Sequence, residues 1–399
     1  MNHSAQQLLL LVSRERLLAD QKARAAELAG GVDDWEAFVR IATRALGVCL
    51  VRGSLGCLPA GCVPPAVLES MRIAARVQVA RMLLIEATYR QLMAQCLEPN
   101  GAEHVFFKGP ALSARYYANP AHRPCRDLDL LVQEDRVLEV VLRARGQGYQ
   151  PYAVDGVQTD RDVVAWVKYS SVMPMLSPSG VLVEIHKSFD HGEGYLDTAG
   201  MLARAEVIQT RDVNIRVLGT ADLFTYMCMH HTRHFWSHLH WFSDLDALSS
   251  HPSFHLEEVR GRARQAGLLS TVDACLGLNG LAASGRWTLS PDAGPEHALL
   301  DRAIFCLLGG RAHEEELRTT RISKDRAFAW QLGAAQGRRY RLRGLVHKVK
   351  PTFTDYQALP LPAWLQPIYF FTRPFRMLSL MLTGRIAGGG SHAGAAGGH

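Results

Sequence analysis

A chain of 399 residues, 48% apolar and 21% charged, has the makeup of a globular protein with room for two or three domains and a sizeable core. Its net charge of +6 is mild and no long Lys/Arg run occurs, so a broad nucleic-acid footprint is not demanded. No uncharged apolar stretch reaches the roughly 18 residues of a spanning helix, so none is expected.

Met1 to Arg16 has an apolar centre of only Leu8 to Val12 and no cationic start, so it does not read as a secretory signal. The eight cysteines (Cys49, Cys57, Cys62, Cys96, Cys125, Cys228, Cys275, Cys306) are scattered without a CxxC pair. They read as reduced, mostly buried thiols, and a cytoplasmic location is expected. From Ser4 to about Pro99 the pattern is helical: Trp35, Phe38, Ile41, Ala42 and Leu46 recur at i, i+3, i+4 spacing. Asp33-Asp34 is a candidate cap for the helix at Trp35. Pro64-Pro65 opens a long helix running to about Cys96, and Pro99-Asn100-Gly101 ends it. Residues 1–100 are thus expected to form an N-terminal helical region with a packing role.

At His104 the period changes. Strands are expected at His104 to Phe107, Asp127 to Val132 and Tyr149 to Val154, with helices at Pro110 to Tyr117 and Glu134 to Arg145. Val167 to Leu176 and Val181 to His186, joined by Pro178-Ser179-Gly180, read as a β-hairpin, and Val213 to Leu218 as a last edge strand. Strands alternating with helices over 101–218 predict a small mixed α/β core. From Thr220 the chain turns helical again, and 219–385 is expected as a C-terminal helical region. Its candidate helices are Ala221 to His234, Leu239 to Ser249, Leu256 to Ala266, Leu268 to Gly280, Glu296 to Leu308, Lys324 to Gln336 and Leu361 to Leu382. The last stretch, 386–399, is largely Gly, Ala and His, and is expected to be disordered.

The chemistry concentrates on Asp127-Leu128-Asp129. Residues i and i+2 of a strand share a face about 7 Å apart. Two carboxylates there repel by about 2 kcal/mol at an effective dielectric near 20, so a cation is called for. Glu184 in Val183-Glu184-Ile185-His186 alternates with apolar residues in the same way. Three carboxylates on neighbouring strands are the hard oxygen set that divalent cations and phosphates use. Upstream, Lys108-Gly109 precedes a helix start. Glycine lets backbone approach a phosphate, and Lys108, Arg123 and Arg126 are candidates for neutralising a triphosphate.

Phe107-Lys108-Gly109-Pro110-Ala111-Leu112, Tyr116-Tyr117, Asn119-Pro120, Arg123-Pro124 and Arg126-Asp127-Leu128-Asp129-Leu130-Leu131-Val132 resemble the signature of a bacterial nucleotidyltransferase family. That family is largely uncharacterised and belongs to the polymerase-beta-like superfamily. Val183 to His186, Leu218-Gly219-Thr220-Ala221-Asp222-Leu223, His230-His231 and Trp241-Phe242-Ser243-Asp244 resemble its downstream elements. The resemblance implies an α+β fold with a small mixed-sheet catalytic core flanked by helical regions. It implies that Asp127, Asp129 and Glu184 bind Mg²⁺ (or Mn²⁺). Lys108, Gly109, Arg123, Arg126 and His186 would then form the nucleotide-binding set. Lys108-Gly109 stands where better-known members have Gly-Ser, and the span from Gly109 to Asp127 exceeds the superfamily norm.

His230, His234 and His238 are spaced i, i+4, i+8, as a zinc stripe on one helix would be. No carboxylate or thiol joins them before Asp244, so a polar face lining the cleft, with His230, His234 and Asp244 near the acceptor, is the better reading. Trp364 to Leu382 is aromatic and weakly basic, which suits weak contact with a membrane surface or partner, but Pro367 and Pro374 interrupt it and favour packing on the body.

The expected function is metal-dependent transfer of a nucleoside monophosphate from a nucleoside triphosphate to a hydroxyl or phosphate acceptor. A peptide natural product, protein, sugar or other small molecule is favoured over nucleic acid. An RNA-directed transferase and a non-catalytic nucleotide- or partner-binding protein of the same fold are the rivals.

Overall fold

The computed structural model describes residues 1–190, 194–210, 214–290, 293–319, 346 and 349–382. The N-terminal helices are α1 (His3–Leu11), α2 (Ala19–Gly30), α3 (Trp35–Arg44), α4 (Val48–Gly56) and α5 (Pro65–Leu92). Asp34 caps α3 as expected, accepting from the Ala37 amide at 2.8 Å. Prolines open α5, and Gly101, at φ 56°, follows the turns that end it.

The middle of the chain alternates: β1 (His104–Phe106), α6 (Pro110–Tyr116), β2 (Asp127–Val132), α7 (Val137–Gly146), β3 (Gln150–Pro151), α8 (Asp160–Tyr169), β4 (Val172–Leu176), β5 (Leu182–His186), α9 (Thr198–Ala203), β6 (Glu206–Gln209) and β7 (Asn214–Val217). These strands form one mixed seven-stranded sheet in the order β3-β4-β5-β2-β1-β7-β6, with β2–β5 and β1–β7 parallel. The α+β fold is therefore as expected.

Three local expectations are corrected. Val167 to Tyr169 close α8, whose start is fixed by a Thr159–Asp162 capping box, so the hairpin's first arm begins only at Val172. The strand expected at Tyr149 to Val154 shrinks to Gln150–Pro151. β7 is not an edge: β1 pairs on one side of it and β6 on the other. β6 was invisible in sequence because its residues are mostly exposed and carry no buried face.

The remaining helices are α10 (Thr220–Arg233), α11 (Leu239–Ser249), α12 (Leu256–Ala266), α13 (Leu269–Ser284), α14 (Pro295–Gly309), α15 (Arg311–Thr319), α16 (Phe353–Ala358) and α17 (Tyr369–Leu382). The helix expected from Leu361 begins instead as a 3₁₀ turn over Ala363–Ile368. The predicted helix Lys324 to Gln336 and the tail from Ala387 lie outside the described residues.

Two apolar cores lie on opposite faces of the sheet. On one, Leu128, Leu130, Val132, Val183 and Ile185 pack with the end of α5 and with α7, α8, α16 and α17. On the other, Val105, Phe107 and Leu131 join a larger core shared by the N-terminal helices and α10 to α14. At the chain's far end, Arg373 and Arg376 hold Asp355 at 2.8 and 2.7 Å, and Tyr369 is buried. Trp364, Phe371 and Phe375 on this segment are exposed. No helix among the described residues is long and apolar enough to cross a membrane.

Candidate active site

The alternation of β2 turns Leu128 and Leu130 into one core and presents Asp127 and Asp129 on the opposite face. The parallel register sets Asp129 beside Glu184 and Leu131 beside His186. Asp129, Glu184 and His186 consequently share one face of two neighbouring strands. His186 Nε2 stands 3.3 Å from Asp129 Oδ1 and 3.5 Å from Glu184 Oε2.

Lys108 reaches this face from the end of β1. Its Nζ donates to Asp129 Oδ1 at 3.2 Å and lies over the rings of Phe107 and Tyr226. Gly109 makes the approach feasible. It has φ 59°, and a Cβ there would sit 3.3 Å from the Asp127 carbonyl oxygen. Burial alone would disfavour the lysine's charge, but Asp129 above all, with Tyr226, Asp127 and Glu184, holds its pKa above the ordinary value. For Asp129, burial likewise opposes ionisation, but Lys108 and then His186 outweigh it and keep the carboxyl below its usual range. Asp127 goes the other way: burial, then Asp129 and Glu184, push it up to about 7.

The other residues singled out in sequence fall in different surroundings. Arg123 is buried, with Nε and Nη2 donating to Asp244 at 3.0 and 2.8 Å. Tyr117 Oη donates to the same carboxylate at 2.8 Å. Asp244 is fully buried within this triad rather than open to a cleft. Arg126 donates to the Arg44 carbonyl oxygen at the end of α3. Phe235 and Trp236 take positive φ after α10, so His238 is the N-cap residue of α11 and does not share a helix face with His230. His234 is near Glu314, at 3.4 Å. Burial lowers the pKa of His231, His234, His238 and His240, which keeps these rings neutral.

Tyr226 was missed. It packs edge-on against Phe107 at 5.3 Å and stacks on His230 at 5.4 Å, joining the lysine to the histidines. The i, i+4 spacing of Tyr226 and His230 was the available signal.

Among the described residues, the group able to hold a metal ion is Asp129, Glu184 and His186, whose donor atoms lie within 4.8 Å of one another. Asp127 is outside it, and the histidine stripe supplies no such group. The donor chemistry fits a divalent cation: two carboxylates, plus an imidazole whose Nε2 faces both of them.

Residues 32–281 match the family described as uncharacterised nucleotidyltransferase. The chain belongs to that family. No curated protein matches it. The matched span runs from just before α3 into α13, so it takes in the sheet and helices on both sides that share one core. The carboxylate face of this nucleotidyltransferase lies between those helices and the sheet.

Proposed function

We propose that the protein transfers a nucleoside monophosphate from a nucleoside triphosphate to an acceptor hydroxyl or phosphate. The acceptor oxygen forms a bond to the α-phosphorus, the bond to the β-phosphate bridge breaks, and pyrophosphate leaves. The observation that carries this reading is buried Asp129 beside half-buried Glu184, with Lys108 at 3.2 Å from Asp129. Asp129 and Glu184, with His186 beside them, would hold a divalent cation of the Mg²⁺ or Mn²⁺ class, and that cation supplies charge stabilisation for the reacting phosphates. Lys108 binds the leaving phosphates as an ammonium kept charged by its neighbours. Asp127, whose proton affinity is raised towards neutrality, takes the acceptor's proton.

Arg123 acts in this reading as an anchor for the segment before β2, because Asp244 occupies its guanidinium. A peptide, protein, sugar or other small molecule is favoured as acceptor over nucleic acid. The mild net charge and the engagement of Arg123 and Arg126 with Asp244 and a backbone carbonyl support this. The eight free cysteines support a reducing cytoplasmic setting.

The test is incubation of the purified protein with each labelled triphosphate, ATP first, a divalent cation and cell extract. Labelled product and pyrophosphate are expected from the wild type and neither from Asp127→Asn/Asp129→Asn. Undiminished transfer by that double variant would overturn the reading.

A further inference from the structure

We propose that His186 Nε2 is itself a ligand of the cation, giving a mixed nitrogen–oxygen donor set that prefers Mn²⁺ to Mg²⁺. The inference rests on the reading of this face as a cation site and adds the identity of the third donor. Glu184 and His186 are two residues apart on β5 and so project to one side, while the register brings Asp129 next to Glu184. Donors around one ion at bonds of about 2.0–2.2 Å stand no more than roughly 4.4 Å apart. The Asp129, Glu184 and His186 atoms lie within 4.8 Å of each other, a few tenths of an ångström above that limit, a gap that side-chain rotation closes without moving the strands.

The state of the imidazole points the same way. His186 is 5% exposed, and its Nε2 faces both carboxylates, at 3.3 Å from Asp129 and 3.5 Å from Glu184. A cation held between these carboxylates would take the place of the Nε2 proton, because a ligating imidazole is neutral. The ring is fixed by packing edge-on against Phe107 at 5.1 Å, so its aim towards Asp129 and Glu184 is set before any ion arrives. Asp127, the oxygen donor that would have made an all-carboxylate site, is not in the group.

Donor chemistry then selects the ion. Mg²⁺ takes near-octahedral oxygen ligands and keeps its waters, whereas imidazole favours first-row transition ions. Two carboxylates beside phosphate oxygens suit Mn²⁺ among those ions. A preference of about tenfold over Mg²⁺ is expected for one nitrogen donor.

The experiment uses the full chain with MnCl₂ alone, in a buffer without nitrogen ligands. Pulsed electron paramagnetic resonance of bound Mn²⁺ should show ¹⁴N coupling that changes to ¹⁵N coupling when the histidines are ¹⁵N-labelled. MgCl₂ competition should need about a tenfold excess to displace half of the Mn²⁺. His186→Gln, checked for folding by circular dichroism, should lose the nitrogen coupling and about tenfold in Mn²⁺ affinity, with Mg²⁺ affinity little changed. Mn²⁺ bound without nitrogen coupling, or displaced by equimolar Mg²⁺, would overturn the proposal and leave the cation site standing. A histidine that only braced the carboxylates would give that result. Failure of either ion to bind, with or without a non-hydrolysable triphosphate analogue, would bring down the cation site as well.

Discussion

At Arg123 and Asp244 each charge has found its partner: both carboxylate oxygens accept from the guanidinium and one also accepts from Tyr117. At Asp129, Glu184 and His186 the enclosure is less complete, with Glu184 half-buried, and the acidic groups crowd one another so that Asp127 is pushed up to about 7. A fully satisfied buried ion pair holds the segment before β2 against α11 and leaves nothing over for a ligand. A cluster of crowded carboxylates, one of them with its proton affinity raised, stores a demand that a cation can meet. The difference between them separates structure from chemistry in this chain.

Breaking the reactive cluster gives the largest expected effect. Asp127→Asn/Asp129→Asn should lower nucleotide transfer by about ten-thousandfold or more, with the circular dichroism spectrum retained. Breaking the closed cluster should do the reverse. Arg123→Met leaves Asp244 buried without its cation and should cost about 3–5 kcal/mol in urea unfolding, whereas Arg123→Met/Asp244→Leu should recover much of that loss. Lys108→Met removes the ammonium from the reactive cluster. It should raise the KM for the triphosphate by about ten- to hundredfold, measured by pyrophosphate release, while the fold persists. Tyr117→Phe removes one neutral donor from Asp244 and should cost about 1 kcal/mol in the same urea assay, with transfer unchanged.

The smallest effect concerns the Asp355 clamp. Burial would raise its pKa, but the Thr352 amide, the Thr352 hydroxyl, Arg373 and Arg376 together hold it below 3.8. A depressed folded-state pKa stabilises above the unfolded value and is lost as pH falls through the folded one. Docking of α17 should therefore be constant above about pH 4 and loosen below it. Hydrogen exchange of the α16 and α17 amides as a function of pH would show this, and Asp355→Asn should remove the dependence.

Much of the reactive face was legible because its signals are local. Asp127, Asp129 and Glu184 announce themselves as polar residues in otherwise apolar strands, and Lys108-Gly109 sits at a strand end where only glycine accommodates the turn. The caps at Asp34 and the break at Gly101 are local too. Legibility failed where the cause lies far along the chain. Arg123 reads as a phosphate ligand until Asp244, 121 residues later, is brought against it. The histidine stripe dissolved because Phe235 and Trp236 take positive φ, which their sequence does not advertise.

By itself, then, the sequence determined which short segments become strands around the carboxylates, where the lysine turn lies, and the nucleotidyltransferase character they carry together. Those are consequences of period, turn chemistry and residue type acting over a few residues. Only the tertiary structure decided which charges remain available. The β2–β5 register set His186 with Asp129 and Glu184, the helix packing closed Arg123 onto Asp244, and α10 brought Tyr226 beside Lys108. Satisfaction of a buried charge depends on partners that folding delivers from a distance, so no local pattern can report it.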